Sequence, residues 1–303
     1  MTLHSVISMR LAARALRALL VLVLLAGASC LQAPPSNRAL AIDAESWLPE
    51  NPKAQQLILA ADAGRVDEVQ RLMKQEVVNP DKIFSREGKA PLIAFLVMYE
   101  YPKALQVLLE NGADPNARFP TPKVVKYKDG SVGTYYKNNA MVWAAKADDT
   151  VYLKLLLDHG GDPSTRNSND ETLLLQAFLS NGQWRNVKLL VERGADVNAR
   201  SQGSTILSDY TARGGFQQAL WLLEHGADPT MKGTLPPEIP GEHSFVISEI
   251  FWYPSKPGFV EWQRKCQQWL AARGYKRPPM PDYLRRMRKS FGYPTQEKDI
   301  PLL

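Results

Sequence analysis

One phrase written four times constrains this 303-residue chain more than any other feature. It reads N-G-A-D-P-N at 111–116, H-G-G-D-P-S at 159–164, R-G-A-D-V-N at 193–198 and H-G-A-D-P-T at 225–230. The aspartates Asp114, Asp162, Asp196 and Asp228 fall 48, 34 and 32 residues apart, a period near 33 broken by one insertion. Each phrase closes an apolar run that carries a leucine pair: Leu108-Leu109, Leu156-Leu157, Leu189-Leu190 and Leu222-Leu223. Such a run ahead of Gly112, Gly160, Gly194 or Gly226 reads as a helix ended by a residue free to take a left-handed backbone. The Asp and its following Pro or Asn then organise a turn. Units at this spacing cannot bury their apolar seam alone, so they stack, and the chain is predicted to be a solenoid.

The phrases resemble those of ankyrin repeats, and the resemblance runs over roughly residues 50–275. It implies an all-α solenoid of helix-turn-helix pairs joined by β-hairpin loops. The family's T-P-L-H phrase is degraded here to Ala90-Pro91-Leu92-Ile93, Thr172-Leu173-Leu174-Leu175 and Thr205-Ile206-Leu207-Ser208. Its apolar anchor persists as Leu57, Leu92, Met141, Leu174 and Leu207, while Ala60-Ala61 and Ala144-Ala145 supply small residues where helices approach. Five repeats follow, at about 51–82, 83–118, 136–166, 167–200 and 201–232. A divergent C-terminal cap at 244–274, with helices over Ser244 to Trp252 and Val260 to Arg273, completes an ankyrin domain of 51–275.

The insertion spans 119–135. Lys123 to Tyr127 and Ser131 to Tyr136 read as two strands joined at Asp129-Gly130, an extended β-finger in place of an ordinary hairpin. Stacking does not require it, so it adds surface.

The two ends differ from the repeats. Arg10, Arg14 and Arg17 precede an apolar run from Leu19 to Ala28, with no acidic residue before Asp43, which reads as a signal peptide over 1–29 and predicts export to the bacterial periplasm. The run is too short to cross a hydrocarbon core. Ala28-Ser29-Cys30 resembles a bacterial lipobox, implying lipidation of Cys30 and a membrane anchor, although Gly27 stands where that motif prefers Leu. Ordinary cleavage after Ala26-Gly27-Ala28 remains the open alternative. In the lipidated case Cys266 is a free, buried thiol on a helix. Residues 30–50, with Pro34, Pro35 and Pro49, read as a flexible tether. Residues 276–303 form a basic tail with a helix predicted over Asp282 to Ser290, either a solvated face or a contact for an acidic partner or anionic membrane. Without the three leader arginines the formal charge falls from +6 to +3, too little to favour nucleic acid.

No nucleophile-elbow, phosphate-loop, dinucleotide-fingerprint or zinc-protease motif occurs. His159 and His225 stand before helix-ending glycines, where they are expected to cap carbonyls. The reading is therefore a non-enzymatic module with no cofactor or metal, monomeric when unbound, that grips another protein. The enzyme alternative places a site in the cap around His243, Glu249 and Glu261.

In ankyrin proteins the hairpin tips and the exposed edge of each first helix form the binding side, and that flank is also the one released from stacking. Counting from the degraded T-P-L-H positions nominates Arg86, Glu87, Lys89 and Met98 in the second unit, and Tyr135, Tyr136, Asn138 and Lys146 in the third. The fourth supplies Ser168, Asn169 and Glu171, and the fifth Ser201, Gln202 and Arg213. The finger adds Tyr127, and the cap His243, Phe251 and Trp252. Tyr135, Tyr136 and Trp252 are the expected anchors, since rigid aromatic side chains dominate interface energetics. The export signal with a degenerate array resembles bacterial periplasmic ankyrin proteins, some of them immunity proteins against type VI secretion lipase effectors. That resemblance implies an inhibitor of such an effector; the alternative is a periplasmic scaffold or stress-protective protein supporting enzymes such as catalase.

Overall fold

The computed structural model describes residues 35–86, 89–126, 130, 132–180, 183–231 and 245–302. The leader, Cys30, Glu87, Tyr127 and His243 lie outside the described residues, and so does the side chain of Tyr135. The chain divides into two compact units, residues 1–42 and 43–303; no candidate membrane-crossing helix occurs among the described residues.

Helix α1 covers Pro35–Trp47. Residues 35–47 therefore depart from the flexible tether expected of them. Proline is tolerated in the first turn of a helix, where its missing N–H costs nothing, and the segment beyond it is tied down: Tyr101 donates its hydroxyl to Asp43 Oδ2 at 2.8 Å, and the Trp47 ring meets Phe95 with centroids 5.1 Å apart.

Six helix pairs follow. The first helices are α2 (Pro52–Ala63), α4 (Leu92–Met98), α6 (Ala140–Lys146), α8 (Leu173–Leu179), α10 (Ile206–Thr211) and α12 (Phe245–Trp252). The second helices are α3 (Val66–Gln70, continued by a wider turn over Arg71–Gln75), α5 (Pro102–Glu110), α7 (Val151–Asp158), α9 (Trp184–Glu192), α11 (Phe216–Glu224) and α13 (Val260–Ala272). First helices pack on first helices, α4 on α6, α6 on α8 and α10 on α12, while α5 packs on α7 and α11 on α13. Most first helices are short and nearly all core: in α4 every residue from Leu92 to Val97 is buried. The anchors Leu57, Leu92, Met141, Leu174 and Leu207 are all buried, and so are Ala60, Ala61, Ala144 and Ala145.

The repeated phrase has a mechanical reading. Gly112, Gly160, Gly194 and Gly226 take φ near +90°, which ends each second helix. Asp114, Asp162, Asp196 and Asp228 each accept, through Oδ1, the backbone N–H two residues on, at 2.8–2.9 Å. Asn116 then reaches the next unit, donating to Gly160 O and accepting from Asp162 N, and Asn198 does the same with Gly226 O and Asp228 N. Asp81 accepts from Asp114 N, so the divergent first repeat joins the ladder through a residue outside any recognisable phrase.

Gly161 stands where the other copies have alanine. A Cβ there would lie 2.5 Å from Met141 Sδ and 2.8 Å from Leu156 O. The larger Met141 occupies the room that a methyl group fills at buried Ala113, Ala195 and Ala227.

The insertion is a two-stranded antiparallel finger, β1 (Lys123–Lys126) and β2 (Val132–Tyr135), with Lys123 opposite Tyr135 and Lys126 opposite Val132. Elsewhere the hairpins close through single bridges, Phe84 with Pro91, Arg166 with Thr172 and Ser201 with Ser204. Beyond the cap, α14 (Asp282–Ser290) matches the predicted tail helix.

Candidate protein-binding flank

The hairpin tips and the C-terminal ends of the first helices share one flank of the stack. Met98, Lys146 and Leu179 occupy the last position of α4, α6 and α8, with Arg213 just beyond α10. Met98 and Lys146 are half-buried and Arg213 is exposed. Leu179, which counting from the degraded phrases overlooked, is 48% exposed. Its position six residues after Leu173, matching Lys146 after Ala140, was the available signal.

Lys146 lies 5.5 Å from the Trp143 ring centroid, one turn back on α6. Burial pushes the Lys146 amine below its usual value, with the Glu171 carboxylate opposing. The Trp143 indole N–H is buried and has no acceptor among the described residues. Trp143 also escaped the sequence reading, because the helix-buried anchor Met141 sits two residues before it and the position is filled elsewhere by Ala94, Gln176 and Asp209. Arg213 stacks over Phe178 at 4.3 Å.

At the tips, Arg86 is exposed and 3.6 Å from Glu50. Lys89 Nζ stands 5.5 Å over Phe119, whose ring meets Phe84 edge-on. Tyr136 is 44% exposed with the Arg118 guanidinium 5.9 Å from its ring. Asn169 and Gln202 are exposed. Lys89, Asp170 and Gln202 all hold positive φ, between 50° and 61°. Left-handed backbone at a residue with a Cβ costs of order 1 kcal/mol, and it recurs here at three tips.

Four nominated residues are structural instead. Asn138 Oδ1 accepts from Ser168 N at 2.8 Å, tying one hairpin to the next, and Ser201 is buried with its Oγ accepting from Thr172 N. Ser168, at the donor end of the first tie, is half-buried. Glu171 is buried and its oxygens accept from Asn167 Nδ2, Gln176 Nε2 and Gln202 Nε2. A carboxylate satisfied three times over has little left to offer a partner.

Phe251 and Trp252 are likewise not surface anchors: they are 6% and 1% exposed. The tail returns over α12. Trp252 Nε1 donates to Pro278 O at 2.9 Å, the Arg277 guanidinium lies 3.7 Å from its ring, and Arg288 donates to its carbonyl at 2.8 Å. The tail is thus neither free nor simply solvated.

In the cap, Glu249 is buried on α12 and its carboxyl is pushed up to about 8, chiefly by burial. Glu261 is exposed and paired with Lys265 at 2.8 Å. Two depressions, of about 200 and 400 Å³, are lined by other residues, and Glu249 lines neither. No group of metal ligands occurs among the described residues. His159 and His225 cap as expected, their Nδ1 atoms 2.8 and 2.7 Å from Leu155 O and Trp221 O. Cys266 is buried, its thiol raised to about 12 mainly by burial.

Residues 141–233 match the family model of ankyrin repeats, in three copies. The fold is that of ankyrin repeats. No curated protein matches the chain. Among solved structures it is similar to the ankyrin repeat domain of Bcl-3, at 22% identity over 70% of this chain and 85% of that one, with a TM-score of 0.49. It is also similar to EF0377, an ankyrin repeat protein, at 20% identity over 70% and 96% with a TM-score of 0.49. An ankyrin repeat domain from Acinetobacter baumannii AYE matches at 20% over 73% and 98%, with a TM-score of 0.48. Ankyrin repeats supply a protein-interaction scaffold.

Proposed function

We propose that this ankyrin protein is an exported inhibitor that grips another protein through its hairpin flank and covers that protein's working surface. The most concrete target is an antibacterial effector of the secreted lipase kind, against which the chain acts as an immunity protein in the periplasm. The observation that carries the reading is the finger. Val124, Lys126, Val132 and Thr134 share its outer face, all exposed, and the two valines are each 58% exposed. A hairpin this long presents apolar side chains that the stack does not bury, which suits insertion into a groove of a partner. Export is supported by Arg10, Arg14 and Arg17 ahead of the apolar run, and an acylated Cys30 would hold the module at a membrane.

The test is capture from a periplasmic extract, with mass spectrometry of what co-purifies, followed by affinity measurements on the recovered partner. Tyr135→Ala with Tyr136→Ala is expected to weaken binding by at least about 1–2 kcal/mol while thermal melting is preserved. A secreted lipase as the captured protein supports immunity; capture of a housekeeping periplasmic enzyme that stays active in the complex refutes inhibition and favours the scaffold. Unchanged affinity in the double variant refutes the placement of the interface.

A further inference from the structure

Charge along the chain is segregated. Residues 245–303 hold 11 Lys and Arg against 5 Asp and Glu, a surplus equal to the +6 of the whole chain, so the preceding 244 residues balance. One of the five acids, Glu249, is buried. Three others are engaged: Glu261 with Lys265, and Asp282 and Glu297 with Arg285 at 3.9 and 3.5 Å. Helix α14 shows how the cations are sorted. Its inner side buries Leu284 and Arg288, while Arg286 and Lys289 stand exposed on the opposite stripe.

The cap also carries three of the largest exposed apolar side chains: Phe259, Phe291 and Leu302, 57%, 65% and 62% exposed. Each lies within two residues, in sequence, of the lining of one depression. The depression of about 200 Å³ is lined by Ser255, Val260, Tyr293, Asp299 and Pro301, among others. Phe259 precedes Val260, Phe291 lies two residues before Tyr293, and Leu302 follows Pro301. Tyr293 donates its hydroxyl to Ser255 O at 3.2 Å, which holds the two loops together. Exposed Lys256 follows Ser255 and exposed Lys298 precedes Asp299. Exposed cations and exposed apolar side chains thus both stand next in sequence to residues that line the depression.

We infer that this rim of the cap is a docking surface for an anionic lipid bilayer. A protein partner is met by a contiguous apolar centre with aromatic anchors in pockets. Here the exposed apolar side chains are few and belong to a segment with a surplus of Lys and Arg, whose long stems let the charge sit at headgroup level while a ring enters the boundary region. Each cation near such a surface adds to binding and is screened by salt. The inference concerns the cap alone, so it stands or falls separately from the partner bound by the hairpin flank.

The test uses the full chain carrying Cys30→Ser, which removes any acyl anchor, in flotation with phosphatidylcholine vesicles with and without phosphatidylglycerol. Binding is expected only with phosphatidylglycerol, to fall as sodium chloride rises, and to drop about tenfold or more in Lys256→Glu with Lys298→Glu, the two exposed cations beside the lining residues Ser255 and Asp299. Phe259→Ser with Phe291→Ser is expected to weaken binding while leaving its salt dependence unchanged, with circular dichroism and melting confirming that both double variants fold. Equal binding to neutral vesicles, no binding to either, or indifference to the charge reversal overturns the proposal. Retention on a polyglutamate matrix without retention by vesicles also overturns it, and assigns the surface to an acidic protein.

Discussion

Thr211 donates its hydroxyl to the carboxyl of Glu249, joining the last complete repeat to the cap through one buried hydrogen bond. Burial above all, and the Asp209 carboxylate, disfavour its charge, while the Thr211 hydrogen bond opposes them. Asp209 repels it from α10, and Tyr253 and Tyr283 face it from the end of α12 and from α14. Arg213 lies nearer to Asp209, whose own carboxyl is raised by burial.

Linkage fixes the sign of the consequence. The Glu249 carboxyl titrates near its ordinary 4.5 when unfolded and near 8 when folded, so its stabilising contribution is complete below about pH 4.5 and is lost as pH climbs through 8. Between those values one such group changes stability by at most about 1.4 kcal/mol per pH unit. Urea unfolding from pH 5 to 9 is expected to show this fall. Glu249→Gln keeps an oxygen for Thr211 and removes the ionisation, so its curve is expected to be flatter; an identical slope in both proteins refutes the assignment.

Gly161→Ala is expected to destabilise the stack by about 1–3 kcal/mol, because the added methyl meets both the Met141 sulfur and the Leu156 carbonyl, and the carbonyl belongs to a packed helix. Adding Met141→Leu, which restores the branched anchor used at Leu92, Leu174 and Leu207, is expected to recover part of the loss. Denaturant midpoints for the two single variants and the double decide it: strict additivity would show that the two positions do not share space.

How much of this was legible in the sequence depends on the range of the interaction. The glycine that ends each helix and the aspartate that accepts two residues on are local devices, so four copies of a six-residue phrase disclosed the repeats, and the local strand–Asp-Gly–strand pattern disclosed the finger. The pairing of Met141 with Gly161 joins the first helix of a repeat to the end of its second and leaves no periodic trace. Trp252 was misplaced for the same reason: its surroundings come from Pro278, Arg277 and Arg288, which lie 25 to 36 residues later and follow no repeat. Glu171 was misread because a polar residue at a hairpin base looks alike whether it faces water or three amide donors.

Trp252→Ala should therefore behave as a core variant. Removing the indole takes away the surface on which Arg277 lies and leaves the Pro278 carbonyl without its donor, a loss of about 3–5 kcal/mol. The expected readout is early unfolding of the cap and tail in hydrogen exchange, spreading into α10 through its packing on α12. A protein that melts normally but loses partner affinity would restore Trp252 as a surface anchor.

The asparagine ladder has a gap that can be filled. Asn116 and Asn198 each bridge to the next unit with two hydrogen bonds, whereas Ser164, at the same place in the second phrase, has no such bridge among the described residues. A serine hydroxyl is too short to span the distance an asparagine amide covers. Ser164→Asn should place its amide opposite Gly194 O and Asp196 N, the counterparts of Gly160 O and Asp162 N, without disturbing the turn, because Asp162 accepts from the backbone of residue 164 and not its side chain. Each exposed bond of this kind contributes about 0.5–1.5 kcal/mol less the entropy of fixing the side chain. The expected outcome is a gain of about 1 kcal/mol in Ser164→Asn and a loss of similar size in Asn198→Ala, read from urea midpoints at constant slope. A gain of the same size in a chain where Leu190→Pro unfolds the repeat that carries Gly194 and Asp196 would mean that the bonds form within one unit, and the ladder would not be what couples the stack.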